Sequence, residues 1–467
     1  MLFNSFYFIF VFLPIVLILY FILNKYSNKL SKILLIVSSL YFYGYFHKYY
    51  ILIILGSIIL NYFYSLIIVK YHKKSILYVG IILNLIILGY YKYLDFFIEN
   101  INLLLEENFS LLKIVLPLGI SFFTFQQISY LIDTYNNKRD IPKIEDYMVF
   151  VSFFPQLVAG PIVLSEEILP QLENKENKRI NYKNLINGLF LFSMGLVKKV
   201  FLADTLANLA EGGFDNMEIL NFAEAWITSL AYTAQLYFDF SGYCDMAMGI
   251  ALFFNIKLPL NFNSPYKSKN ISEFWTRWHI TLGRFLKNYL YIPLGGNRCG
   301  EKRKLKNLFI VFLASGIWHG AGWNYIIWGF LHGIFIVIDK ILEKSKIYIN
   351  KYLAIFITFN IVNILWIFFR ASSLQKALDI LKSMFNIFNI DLYLTLDYEN
   401  ATSGFFHLSM LIKIMIFSYI IIFFFPSSSE KVKNNKFNKR VLIEITFYFI
   451  LSLSFLDKIS TFLYFNF

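Results

Sequence analysis

Apolar runs long enough to cross a lipid bilayer recur from one end of this chain to the other, and nothing constrains its fold more. The first, SFYFIFVFLPIVLILYFIL (residues 5–23), contains no charged side chain. About 20 such residues in a helix span the ~30 Å hydrocarbon layer, where every backbone polar group must be satisfied within the segment. Of 467 residues 58% are hydrophobic and only 16% charged, against about 25% charged in soluble domains. A soluble multidomain chain is excluded, and an all-α, polytopic integral membrane protein is implied. The first run lacks a basic n-region and a small-residue cleavage site, so it reads as a retained helix rather than a signal peptide.

Loop charge sets the expected topology. Basic loops fall at 24–32, 70–74, 136–143, 174–183, 297–306, 339–346 and 430–440, and acidic or neutral ones at 99–110, 211–224 and 390–400. The two kinds alternate if spans lie near 5–23, 33–46, 51–69, 76–97, 112–134, 186–208, 225–253, 307–320, 322–338, 352–371, 405–425 and 441–460. That is about 12 transmembrane helices in a single membrane domain (1–467), with basic loops in the cytoplasm and both termini outside it. Within it, 1–110 reads as N-terminal helices, 111–340 as a core and 341–467 as C-terminal helices. The net charge of +13 is explained by these loops and by anionic lipid, and no nucleic-acid-binding motif accompanies it. Cys244 and Cys299 are too few for a disulfide framework and lack metal-ligand spacing, so no metal is expected.

Two apolar stretches do not read as full spans. Residues 150–163 are broken by Pro155, Gly160 and Pro161, and 279–296 are polar and end in Pro293-Leu-Gly-Gly. Broken backbone at membrane depth is tolerated only where protein or a water-filled cavity covers it, so both are candidate re-entrant elements.

Polar residues within apolar segments mark the candidate chemistry. His319 stands in GIWHGAGWNYIIWGFLHG (316–333), between Trp318 and Gly320. Imidazole takes and returns a proton near neutrality, and Trp318 and Trp323 can exclude water around it; a histidine bonded to a nearby carbonyl fits equally well. Gly316/Gly320 and Gly329/Gly333 repeat the small-xxx-small spacing of close helix packing, and His332 lies on such a face. Upstream, Glu273 and Arg277 are four apart and can pair on a helix, while His279 can share a cavity with His319; an amphipathic interfacial helix is the alternative for this segment. Gln235, Asp239 and Asp245 share one apolar span, and a salt bridge to Lys198–Lys199 explains either carboxylate as well as a site does. His47, His72 and His407 fall at expected helix ends or loops. Ser315 and His319 are four apart, but no oxyanion hole accompanies them. No GxxxxGK[ST], HExxH or GxSxG motif is present.

In order along residues 1–335, MLFNSFYFIFVFLPIVLILYF, LPLGISFFTFQQISYLIDTY, FFPQLVAGPI, QLYFDFSGYCDMAMGIALFF, LPLNFNSPYKSKNISEFWTRWHITL, YLYIPLGGNR and GIWHGAGWNYIIWGFLHG resemble the membrane-bound O-acyltransferase (MBOAT) family. The likeness is to its bacterial branch of AlgI-like and peptidoglycan O-acetyltransferases. The resemblance implies helices around a central tunnel, transfer of an acetyl group to a hydroxyl, an essential histidine at His319 and a second polar position at His279. It makes Trp278 and Tyr289, within matched motifs, candidate substrate contacts beside Trp318, Trp323, Gln235, Asp239, Asp245, Glu273 and Arg277. Lys287-Asn288 replaces the branch's usual Arg-Asp. The expected donor is acetyl-CoA, used as a substrate with no bound cofactor, in the bacterial cytoplasmic membrane. An extracytoplasmic SGNH-type acetyltransferase is the expected partner and a cell-surface polysaccharide the final acceptor. D-alanyl transfer to teichoic acid and proton-coupled transport or flipping are the competing readings; no inverted repeat supports the transporter.

The charge alternation predicts that alkaline phosphatase, which needs an oxidising compartment to form its disulfides, is active when fused after residue 110 and inactive after residue 72 or 178. The reverse pattern would invert the topology.

Overall fold

The computed structural model describes residues 1–136, 141–217, 219–345, 349–389, 408–434, 439–456 and 460–463. Its helices are α1 (Leu13–Tyr26), entered through a wide π-helical turn at Phe8–Phe12, α2 (Asn28–Gly44), α3 (Lys48–Tyr71), α4 (Lys74–Leu105) and α5 (Ile120–Tyr135). The short helices α6 (Ile144–Ser152), α7 (Phe154–Leu157) and α8 (Ser165–Glu173) follow. Then come α9 (Tyr182–Val197), continued by a π-helical turn into α10 (Asp204–Glu211), α11 (Phe222–Phe253), α12 (Ile271–Arg277) and α13 (Ile280–Leu286). The chain continues through α14 (Glu301–His319), α15 (Trp323–Ser345), α16 (Lys351–Arg370) and α17 (Leu374–Phe385) to α18 (Leu408–Phe424), α19 (Ser428–Asn434) and α20 (Lys439–Leu453). The described residues contain no strand. The acidic loop 390–400 and His407 lie outside them.

Each expected span coincides with a helix. Among the described residues, six segments are long and apolar enough to cross a bilayer: Phe8–Tyr26, Lys48–Tyr71, Lys74–Leu105, Tyr182–Asn216, Trp323–Ser345 and Lys351–Arg370. The others are shorter or carry polar groups. Two expected spans are only partly helical: residues 454–456 of the expected span 441–460 form turns, and residues 112–119 of the expected span 112–134 are not helical. Pro117 interrupts the segment, and Gly119 adopts φ +71°, where an added Cβ would lie 2.6 Å from the Leu157 carbonyl oxygen.

The first broken segment is covered by protein along its whole length, whereas the second is buried only in part, with Gly283, Lys287, Ile292 and Pro293 exposed. Phe150, Phe153, Phe154 and Val163 are fully buried, and the two segments are tied together. Ile162 N donates to Thr281 Oγ1 (3.0 Å), and Arg284 Nη2 donates to the Ile162 carbonyl (3.0 Å) while its guanidinium grips Glu167 (2.5 and 2.8 Å).

At the centre α9 lies against α11 with almost no side chain between them. Glycines two turns apart on each helix face one another: a Cβ on Gly188 would come within 2.7 Å of the Gly249 oxygen, and one on Gly195 within 2.5 Å of the Gly242 oxygen. Just beyond, Lys198 pairs with Asp245 (2.6 Å), and Lys199 with Asp239 (2.7 Å) and Asp204 (2.8 Å). The segment 460–463 closes over this cluster. Ser460 Oγ donates to Asp204 (2.5 Å), Lys199 to the Thr461 carbonyl (2.9 Å) and Leu463 N to Asp239 (3.0 Å).

Removing one partner of a buried ion pair strands a charge, at a cost of about 3–5 kcal/mol. Lys199→Met is therefore expected to lower the thermal unfolding temperature of the detergent-solubilised protein far more than Lys304→Met at the charged start of α14. Gly195→Val is expected to destabilise by about 1–3 kcal/mol through overpacking.

Candidate functional site

α14 and α15 form a hairpin whose backbones touch. A Cβ on Gly316 would lie 2.8 Å from Gly329 Cα, and one on Gly329 2.6 Å from the Phe312 oxygen, so the glycine spacing serves close packing. His319 is the last residue of α14 and is 2% exposed. Its imidazole is boxed by the rings of Trp318 (4.9 Å), Trp328 (5.0 Å) and Phe369 (5.2 Å), all three edge-on. Trp318 in turn stacks on Phe125 (5.2 Å). The result is a dry chamber with an ionisable ring at its centre.

His279 lies on the other side of the same indole, 6.3 Å from Trp318 between ring centroids. It precedes α13 in a left-handed conformation (φ 45°). Its Nδ1 is 3.1 Å from Asn261 Oδ1, which also accepts from Thr281 N (3.2 Å) and Thr281 Oγ1 (2.8 Å). A carbonyl oxygen only accepts, so with the amide oriented by this network the neutral His279 carries its proton on Nδ1. His332 shows the opposite pattern: Trp275 Nε1 donates to its Nδ1 (3.2 Å), leaving the proton on Nε2. Trp328 separates His332 (4.7 Å) from His319. Three histidines and two indoles thus alternate through the interior.

Two cavities approach α14 from opposite ends of its final turn. The larger, about 780 Å³, is lined by Trp275, Arg284, Lys287, Asn288, Lys304, Lys340 and Ser315, the last one turn before His319. The smaller, about 270 Å³, is lined by Tyr90, Lys92, Asp95, Gly320, Ala321 and Tyr325, beginning at the residue after His319. Cations crowd the first. A helical rise of about 22 Å separates Lys304 from His319.

The remaining candidates lie apart from the chamber. Glu273 and Arg277 form the expected pair (2.8 Å), and Glu273 also accepts from Lys269 N (2.8 Å), bracing the turn before α12. Trp278 is buried against Phe262 and Trp366. Tyr289 donates to Asp133 (2.7 Å), and Gln235 is buried on α11. Asp239 and Asp245 meet lysines of the α9 segment, as the salt-bridge alternative required. Trp323 does not wall in His319: it is 58% exposed and donates to Asn100 (3.0 Å). The Gly320–Gly322 turn reverses the chain before Trp323, so the wall is Trp328, on the inner face of α15, with Phe369 from α16. His72 stacks on Tyr135 and His47 packs near Tyr50.

The sequence reading missed Trp328, Phe369, Asn261 and Lys92. Lys92, the one cation between Lys74 and Asp95 in an expected span, was detectable as an intramembrane charge; the other three depend on tertiary contacts.

The sequence model of the family described as MBOAT, membrane-bound O-acyltransferase family, matches residues 111–375. The chain is 45% identical to a peptidoglycan O-acetyltransferase of Helicobacter pylori, covering 100% of this chain and 98% of that protein. It is 39% identical to a probable alginate O-acetylase AlgI of Pseudomonas aeruginosa over 83% of this chain and 75% of the relative. A teichoic acid D-alanyltransferase of Bacillus subtilis is 28% identical over 52% of this chain and 66% of its own length. With a family match over more than half of its residues and a relative aligned along its whole length, the chain belongs to the membrane-bound O-acyltransferase family and is an O-acyltransferase of the membrane.

Proposed function

We propose that this enzyme carries an acetyl group from acetyl-CoA on the cytoplasmic side of the bacterial cytoplasmic membrane to an acceptor hydroxyl on the other side. The observation that carries the reading is the pair of cavities flanking the last turn of α14, one lined by Ser315 and the other by Gly320, with the buried His319 between those two residues. The 780 Å³ space is of cofactor-site size, and Lys287 and Lys304 offer charge for the donor's phosphates. The 270 Å³ space suits a single hydroxyl-bearing group better than a glycan strand. That supports delivery to an extracytoplasmic SGNH-type acetyltransferase, which then esterifies the polysaccharide.

His319 acts as general base. Its basic nitrogen takes the hydroxyl proton as the alcohol oxygen attacks the thioester carbonyl; the C–S bond then breaks and the thiolate leaves, to be protonated from the imidazolium. Trp318, Trp328 and Phe369 keep out water that would hydrolyse the donor. Peptidoglycan is the favoured final acceptor, since the full-length likeness is to a peptidoglycan O-acetyltransferase and the likeness to D-alanyltransferases covers about half the chain. A proton-coupled carrier receives less support, because Asp239 and Asp245 are held in ion pairs.

Purified protein given radiolabelled acetyl-CoA and a hydroxyl acceptor is expected to transfer label, and His319→Ala to lose about 10²–10⁴-fold in rate. Undiminished transfer would remove His319 as the base. Lys304→Glu is expected to raise KM for acetyl-CoA by about tenfold with little change in kcat, more at low ionic strength. An unchanged KM would move the phosphates elsewhere.

A further inference from the structure

α14 ends at His319 without a glycine cap of its own; Gly320 is extended (φ −163°, ψ 156°). The last carbonyls of a helix have no partner within it and must find donors elsewhere. Here they find them on α4, a helix outside the residues matched by the family model. Tyr93 Oη donates to the Ile317 carbonyl (2.7 Å), and Lys92 Nζ donates to those of Trp318 (2.6 Å) and His319 (2.9 Å). Four and eight residues on, Phe96 meets the Trp323 ring (6.0 Å) and Asn100 accepts from its Nε1 (3.0 Å). One stripe of α4 therefore grips the whole turn from 317 to 323.

Lys92 is the centre of that grip. A cation at a helix C-terminus is stabilised by the macrodipole and by the carbonyls it bonds. Its ammonium also approaches the Trp318 ring (5.6 Å to the centroid) and Ser121 Oγ (3.5 Å), and lines the smaller cavity. The bonds fall on the peptide from which the imidazole springs and on the indole beside it. A misplacement of about 1 Å in a reacting group can cost 10²-fold in rate.

We infer that Lys92 is a positioning residue for acyl transfer, whose ammonium clamps the carbonyls of Trp318 and His319 and so holds the imidazole in place between Ser315 and Gly320, which line the two cavities. The inference rests on the reading of His319 as the base. It separates Lys92 from the donor site: loss of the clamp is expected to change kcat and leave donor binding alone. Tyr93, bonded two residues before His319, is expected to matter less.

Two measurements on the purified full-length protein test this. In steady-state transfer, Lys92→Met is expected to lower kcat about 30–100-fold, with KM for acetyl-CoA changed less than about threefold. Lys92→Arg, which keeps the charge on a different donor geometry, is expected to recover most of the loss, and Tyr93→Phe to stay within about threefold of the parent. Independently of activity, diethyl pyrocarbonate labelling of each histidine is read by peptide mass spectrometry. Lys92→Met is expected to raise labelling of His319 about tenfold or more while His279 and His332 stay protected, as their bonds to Asn261 and Trp275 do not involve α4. A kcat within threefold of the parent, unchanged His319 labelling, or an equal rise at all three histidines would each overturn the proposal. If His319→Ala retained transfer, the labelling would still report whether Lys92 holds that residue in place.

Discussion

Two ammonium groups and three carboxylates pair with one another between the α9 segment and α11, and the architecture is arranged around keeping them together. Isolated charges of this kind are prohibitively costly away from water. The facing glycines let the two backbones approach until lysine and aspartate meet without intervening solvent. α11, fixed in this way, becomes the post on which the reactive loops hang. Phe240 packs edge-on against His279 (4.9 Å), Asn261 bonds Cys244, and Thr233 joins Asn363 of α16 (2.7 Å). α16 in turn supplies Phe369 to the wall around His319.

The chamber reflects a conflict between chemistry and solvation. In the proposed reaction an acyl thioester must meet one chosen hydroxyl and no water, and flat apolar rings enclose His319, the residue proposed as base. Yet a base needs a defined proton inventory. Hydrogen bonding fixes the neighbouring rings in opposite tautomers, His279 protonated on Nδ1 and His332 on Nε2, with indoles separating both from His319. Protons around His319 are thereby assigned by the protein rather than by bulk solvent.

Much of this was legible in one dimension. Spans followed from hydropathy, the broken segments from proline and glycine, and His319, Trp318 and His279 from motifs that do converge. The buried aspartates were recognisable as charges seeking partners, and Lys198–Lys199 were the partners available. What could not be read was anything decided after the chain turned back on itself. Trp323 is four residues from His319 and would share its face on a continuous helix; the glycine turn cancels that relation and substitutes Trp328. Phe369 arrives from a helix 50 positions away. The non-helical stretch before Ile120 was announced by Pro117 and Gly119, yet hydropathy outweighed them.

The stitching of 460–463 into the central ion cluster has a consequence for biogenesis. Those residues follow every element they fasten, so the ribosome has already released the helices they lock before they become available. Until then Lys199, Asp204 and Asp239 lack part of their bonding. Maturation must therefore pass through an inserted but unlatched precursor whose interior is still open to rearrangement, with the latch thrown after synthesis of the bundle is complete.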